Sequence, residues 1–190
     1  MALTMTSGPA IESVSLDDAK AHLRIDGSSE DALIASLILT SRLHIEAALG
    51  LALVQQSWRL ILDGWPRGGV VRVPLSPLTS VAEVRVKNAD GLFEVVPSAD
   101  YVVVVAGRPQ RLLAKSIWPT PGVAAAGVEI DFTAGYGSAA EDVPAPIRQA
   151  LLLLMAHWYE HRDPIEIGAP QTSVPHAVNR LLSPYRPVRV

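Results

Sequence analysis

The residues of this chain best suited to chemistry stand together as His157-Trp158-Tyr159-Glu160-His161. Two histidines four apart share one face of a helix. There their ring nitrogens can hold a zinc ion while the neighbouring glutamate serves as general base, a hydrolytic centre of the H-x-x-E-H kind. Such a centre needs a third protein ligand from a following element. Glu166 lies just past Pro164, and no Asp or Glu follows it. The simpler reading is a packed helix end, with His161 and Arg162 set against the negative end of the helix dipole. Other nucleophile chemistry is poorly served. There is no cysteine, which excludes thiolate metal sites, disulfides and cysteine nucleophiles. Gly135-Tyr136-Gly137 precedes no lysine and reads as a turn, not a phosphate loop. The acids Asp17, Asp18, Glu141 and Asp142 stand where helices begin, and capping accounts for them. Trp58, Trp65, Trp118 and Trp158 are not interleaved with Lys or Arg, so packing suits them better than base stacking.

The elements that must carry these residues follow from local pattern. Residues 1–14 lack periodicity and read as a flexible arm. Ser15, with Asp18 three residues on, opens a short helix ending near Ile25. Ser28 or Ser29 caps a second helix whose inner face reads Ile34, Leu37, Ile38, Ser41, Ile45 and Ala48, stopped at Gly50. From Val54 onward the pattern changes to short β-branched or aromatic runs: 58–62, 70–73, 81–86, 101–105 and 128–132. Turn residues bound each run, which predicts an antiparallel sheet, sandwich or small barrel. Pro144 or Pro146 starts a third helix through Arg162, apolar on almost every side, with Ile147, Leu151, Leu154 and Trp158 as its main stripe. A polar linker follows, and 174–182 forms one last short helix.

The expected fold is therefore α+β. A small helical bundle, two N-terminal helices plus a long C-terminal one, carries an inserted antiparallel β module and an extended C-terminal tail. The helical core takes residues 15–53 and 140–163, the β module 54–139, and the linker, short helix and tail 164–190.

Composition narrows the function. Of 190 residues, 49% are hydrophobic and 18% charged. That apolar share points to burial beyond one core, either in a large core or under partners. The net charge of −3 lacks the basic excess of a free-standing nucleic-acid binder. No signal-like apolar stretch precedes the first cation, Lys20, and the run 150–156 is too short to cross a bilayer; the chain reads as soluble, with no membrane partner. After Glu166 only cations remain: His176, Arg180, Arg186 and Arg189. Leu181, Leu182 and Tyr185 lie among them, which favours a segment that orders on a partner over a solvated tail.

Several stretches resemble the head–tail connector (adaptor) proteins of tailed phages and gene transfer agents. The opening Ser15-Leu16-Asp17-Asp18-Ala19-Lys20-Ala21-His22-Leu23-Arg24-Ile25-Asp26 is similar to their first helix. Pro74-Leu75-Ser76-Pro77-Leu78 running into Ser80-Val81, and Phe132-Thr133-Ala134-Gly135-Tyr136-Gly137, match as well. So do Val143-Pro144 through Ile147 to Trp158-Tyr159-Glu160, and Val174-Pro175 leading to Leu181-Leu182-Ser183-Pro184-Tyr185-Arg186. The resemblance spans about residues 14–187, and order and spacing carry it more than any single element.

It implies a structural virion protein made in the host cytoplasm and placed at the neck: the adaptor ring below the portal, in twelve copies. The small members are nearly all helical, so the β module would be an insertion. No enzyme activity, metal or cofactor is implied. Neighbouring copies would pack helix against helix, with Ile34, Ile38, Ile45, Ile147, Leu151, Leu154 and Trp158 serving ring or core packing. Arg180, Leu181, Leu182, Tyr185, Arg186 and Arg189 would bind the portal ring, the apolar ones as anchors and the arginines on its acids or carbonyls. The next tail or stopper protein would sit below, and DNA would pass through the lumen without specific contacts. Two other readings stand beside it: another neck or tail-completion protein of the stopper kind, and a zinc-dependent hydrolase built on His157, Glu160 and His161.

Overall fold

A computed structural model describes residues 1–161 and 174–186. The chain divides into two compact units: residues 1–10 with 50–136, and residues 11–49 with 137–190.

The first unit is built of strands. β1 (Ala2–Ser7), β2 (Gln56–Leu62), β4 (Leu78–Lys87), β5 (Phe93–Val95) and β8 (Val128–Ala134) form an antiparallel sheet in the order β1-β2-β8-β4-β5. β3 (Val70–Arg72), β6 (Tyr101–Val104) and β7 (Arg111–Ala114) form a second sheet in the order β3-β7-β6. The expected arm is thus a strand over Ala2–Ser7, paired antiparallel with β2 from Ala2↔Ile61 to Ser7↔Ser57. Only Leu3 of this edge strand is partly buried, and the other five residues are exposed.

Central β8 shows why this segment is a sheet. Val128, Ile130, Phe132 and Ala134 point into a core with Leu60, Val84 and Leu112, while the residues between them point out. On the outer face the register sets charges opposite one another. Arg59 grips Asp131 with two hydrogen bonds of 2.7 and 2.9 Å, and Arg85 donates to Glu129 at 2.8 Å and to Asp131 at 3.0 Å. The Arg59 guanidinium, with Arg85 beside it, holds the Asp131 carboxyl below the usual carboxylate range despite its partial burial. Gly135 closes the sheet segment at φ +141, with its position for a Cβ 2.5 Å from the Gln55 Cα. Glycine is required there by both conformation and space.

Three of the tryptophans belong to this unit. Trp65 and Trp118 stack at 4.1 Å, and their indole N–H groups donate to Pro119 O and Gly69 O. Trp58 is half-buried against the core. Packing is their role, as the absence of an interleaved basic pattern predicts.

The second unit is helical: α1 (Leu16–Leu23), α2 (Asp31–Leu49), α3 (Ala145–Glu160) and α4 (His176–Leu182), the last followed by a 3-10 turn over Ser183–Tyr185. Ser15 caps α1 as expected, its Oγ accepting from the Asp18 N–H at 3.0 Å. α1 ends on Arg24 in the left-handed region at φ 58, and Gly50 follows α2 at φ 61. Lys20 bonds Asp31 at 2.8 Å, and Tyr159 on α3 donates to Glu30 just ahead of α2.

The faces differ from expectation in two places. Leu37 is half-exposed and Ala48 exposed, whereas Arg42 and Glu46 join Ile34, Ile38, Ser41 and Ile45 inside. α3 is not buried all round: Ile147, Ala150, Leu151, Leu154 and Met155 are inside, but Leu152 and Leu153 are half-exposed. α2 is long and apolar enough to cross a membrane by length and composition alone. Only its inner face packs on α1 and α3.

Candidate assembly surfaces

His157 sits on the last turn of α3 and His161 just past it. The rings of His157 and His161 lie 4.5 Å apart, tilted by 36°. His161 Nδ1 is 2.9 Å from the His157 carbonyl oxygen, while His157 Nε2 is buried with no hydrogen-bond partner. Among the described residues no three His, Cys, Asp or Glu side chains gather where they could hold a metal ion. Glu166 lies outside the described residues.

Burial, and then the charge of His161, lower the His157 pKa from its ordinary 6.5. The folded chain therefore resists a proton that the unfolded chain accepts, and stability falls as pH drops below about 6.5. His157→Gln should flatten part of that slope. The check is the melting temperature of both proteins at pH 7.5 and 5.5; equal shifts in the two would remove the effect.

The residues expected at a portal contact divide. α4 packs on α3, and this buries Val178 completely and leaves Leu182 only 6% exposed. Leu182 is thus a core residue of its own subunit, not a free anchor, because α3 reaches it first. Leu181 and Tyr185 are half-exposed, Arg180 and Arg186 exposed, and Arg186 Nη2 donates to Asn179 Oδ1 at 2.8 Å. Arg189 lies outside the described residues. Four of the six therefore remain at the surface of one short helix and its turn.

The residues expected at ring or core packing are mostly core. Ile34, Ile38, Ile45, Ile147, Leu151 and Leu154 are each 2% exposed or less. Trp158 is half-buried and meets His44 edge-on at 5.6 Å. A neighbour must use other surfaces.

Two such surfaces went unread in the sequence. One is the outer face of α2, where Leu33, Leu39 and Leu43 are exposed. The signal was present: from Ala32 to Ser41 the helix has no charged residue, more apolar length than a helix with one dry face needs. The other lies in the strand unit. A cavity of about 500 Å³ there is lined by Lys87, Val95, Lys115, Ile117 and Trp118 among others. Ile117 is 87% exposed, and Phe93 lies under Arg85 and Lys87 at 5.2 and 4.9 Å. These contacts form by tertiary folding, so spacing along the chain does not announce them.

The surfaces described above are thus an uncharged helix face, a cationic helix end and an apolar cavity edged by lysines. Residues 13–92 match the family described as phage gp6-like head-tail connector protein. The whole chain aligns at 30% identity and a TM-score of 0.85 with a chain in the structure "Neck of empty GTA particle computed with C6 symmetry", covering 97% of that chain. The chain belongs to the head–tail connector family. The connector is also similar to a chain in "Virion of native gene transfer agent (GTA) particle", at 29% identity and TM-score 0.84. A third similar chain, at 30% identity and TM-score 0.78, comes from "Neck of native GTA particle computed with C12 symmetry". Both likenesses cover all of the connector and 97% of the other chain. No curated protein matches it. The strand unit lies within these full-length alignments, so the compared neck chains carry it as well.

Proposed function

We infer that this connector is a structural adaptor of the virion neck, one subunit of a homo-oligomeric ring joining head to tail, and not an enzyme. The observation that carries the reading is full-length likeness, at 30% identity, to a chain of gene transfer agent necks. Twelve copies fit the C12 symmetry computed for one of those necks. The patches agree with this role, since large assemblies are held by apolar contacts with a polar rim. An acidic whole, at net charge −3, suits a lumen through which DNA phosphates slide without being held.

The portal ring is the partner we assign to α4 and its turn. Arg180 and Arg186 project outward beside the half-exposed Leu181 and Tyr185, a small apolar contact flanked by cations. The next tail or stopper protein would meet another face.

The test is sedimentation velocity of the connector mixed with its portal ring. Deleting everything after residue 163 is a poor comparison, because it uncovers the α3 surface that Val178 and Leu182 bury. Arg180→Glu with Arg186→Glu leaves that packing intact. It should weaken binding by about tenfold or more, since reversed charges on both sides of a contact act on rate and affinity together. Undiminished binding by the double variant would remove the portal assignment from this helix. Wild-type connector that ignores the portal but binds a ring below it would be a stopper-like component.

A further inference from the structure

The charge distribution of α2 runs opposite to that of an ordinary surface helix. Past Asp31 its charged residues are Arg42 and Glu46, and both are turned inside. The outward face, over a length of about 28 Å, has no Lys, Arg, Asp or Glu. It shows Leu33, Leu39 and Leu43, exposed by 36%, 42% and 46%, set among exposed alanines and the polar Ser36, Thr40 and His44. Scattered exposed leucines need no explanation, but a continuous uncharged helix face marks an interface.

The same unit has a second, differently shaped surface. A cleft of about 430 Å³ has an apolar floor of Val14, Ala21, Ala145 and Leu152 and a polar edge of Ser13, Asp18, His22, Arg148 and Gln149. It draws on α1, on the residues just before α1, and on α3, and takes nothing from α2. Ser13 Oγ and Arg148 Nε are buried there with no hydrogen-bond partner. A buried donor left so costs stability unless a partner completes it.

We propose that the uncharged face of α2 in one copy docks on the α1–α3 cleft of the next copy, and that this contact is the seam of the ring. The proposal rests on the ring reading above and names the surfaces that make it. A ring needs two different, complementary patches on each subunit, because one patch meeting itself gives a closed dimer. This unit supplies that pair, one ridge and one cleft, on surfaces that share no residue. A second copy is the occupant because chains similar to this one come from necks computed with C6 and C12 symmetry. A face without charges also suits a permanent contact more than one that must open to water.

The chain has no cysteine, so the seam can be trapped cleanly. The full-length double variant Leu43→Cys with Ala21→Cys, mildly oxidised alone and on portal rings, should give a ladder of covalent oligomers beyond the dimer. Each single variant should stop at trace dimer. In parallel, Leu39→Asp with Leu43→Asp should raise the concentration needed for ring formation about 100-fold or more, since both residues would be central to the contact. Its melting temperature should stay near that of the parent, because neither side chain is in the core. Rings that form without a ladder, and that survive the aspartates, would place the seam elsewhere while leaving the ring itself standing. Efficient dimers from Leu43→Cys alone would mean face-to-face pairing and overturn the head-to-tail seam. A parent chain that forms no oligomer, alone or on the portal, would overturn ring and seam together.

Discussion

Replacing Arg42 by alanine should lower the free energy of unfolding by about 3–5 kcal/mol, the cost of breaking a buried ion pair from one side. The Arg42 side chain is 5% exposed in the middle of α2. Its Nε donates to Glu12 at 2.7 Å and its Nη1 to Glu46 at 2.9 Å. Burial alone would lower the Arg42 pKa, but the hydrogen bond to Glu12 and the charges of Glu46 and Glu12 outweigh it and raise it. The guanidinium is therefore held charged and tied on two sides, and it pins the segment before α1 to α2. Alanine removes the cation and leaves both carboxylates facing the gap it occupied. Arg42→Met with Glu46→Leu should recover part of the loss, because apolar side chains of like volume remove the Arg42–Glu46 pair together and leave only Glu12, one-third exposed, without its cation. Urea denaturation of the three proteins decides it. A fall of less than about 1 kcal/mol for Arg42→Ala would assign the pair only the worth of an exposed one.

The second large effect lies in the strand unit. Phe132 is 1% exposed in the middle of β8 and sits opposite Trp58 on one side and Val81 on the other. Phe132→Ala should destabilise by about 3–5 kcal/mol, from lost transfer energy and the cavity left in a strand with neighbours on both sides. Phe132→Leu keeps most of the volume and should cost about 1.5 kcal/mol or less. Trp58, Trp65 and Trp118 all lie in this unit, so tryptophan fluorescence during denaturation reports on it. Equal stability of the alanine and leucine variants would mean that the core refills the gap, contrary to the packing described.

Much of the fold was legible because it rests on local rules. Ser15 with Asp18 announced the start of α1, Pro144 and Pro146 the start of α3, and alternation through 128–132 the central strand. β5 (Phe-Glu-Val) and β7 (Arg-Leu-Leu-Ala) were missed because they lack the β-branched runs that announced β3 and β6, which are equally short. β1 was missed for another reason: an edge strand with one neighbour needs little hydrophobic patterning, and Thr and Met suffice. The histidine pair was legible as a pattern and misleading as chemistry, since spacing places two rings on one face but does not bring a third ligand.

By itself the sequence determined that this protein carries more apolar surface than one small core absorbs, and that its last described helix sets leucines among cations. The order of its motifs along the chain likewise determined its family. Only the tertiary structure decided which surface covers which. Leu182 meets α3 of its own chain, Arg42 and Glu46 turn inward against Glu12, and Leu39 and Leu43 are left facing out. The physical reason is that burial of apolar area is non-directional. A residue type states that a side chain must leave water, while the packing of whole helices settles whether its own chain or another one takes it in.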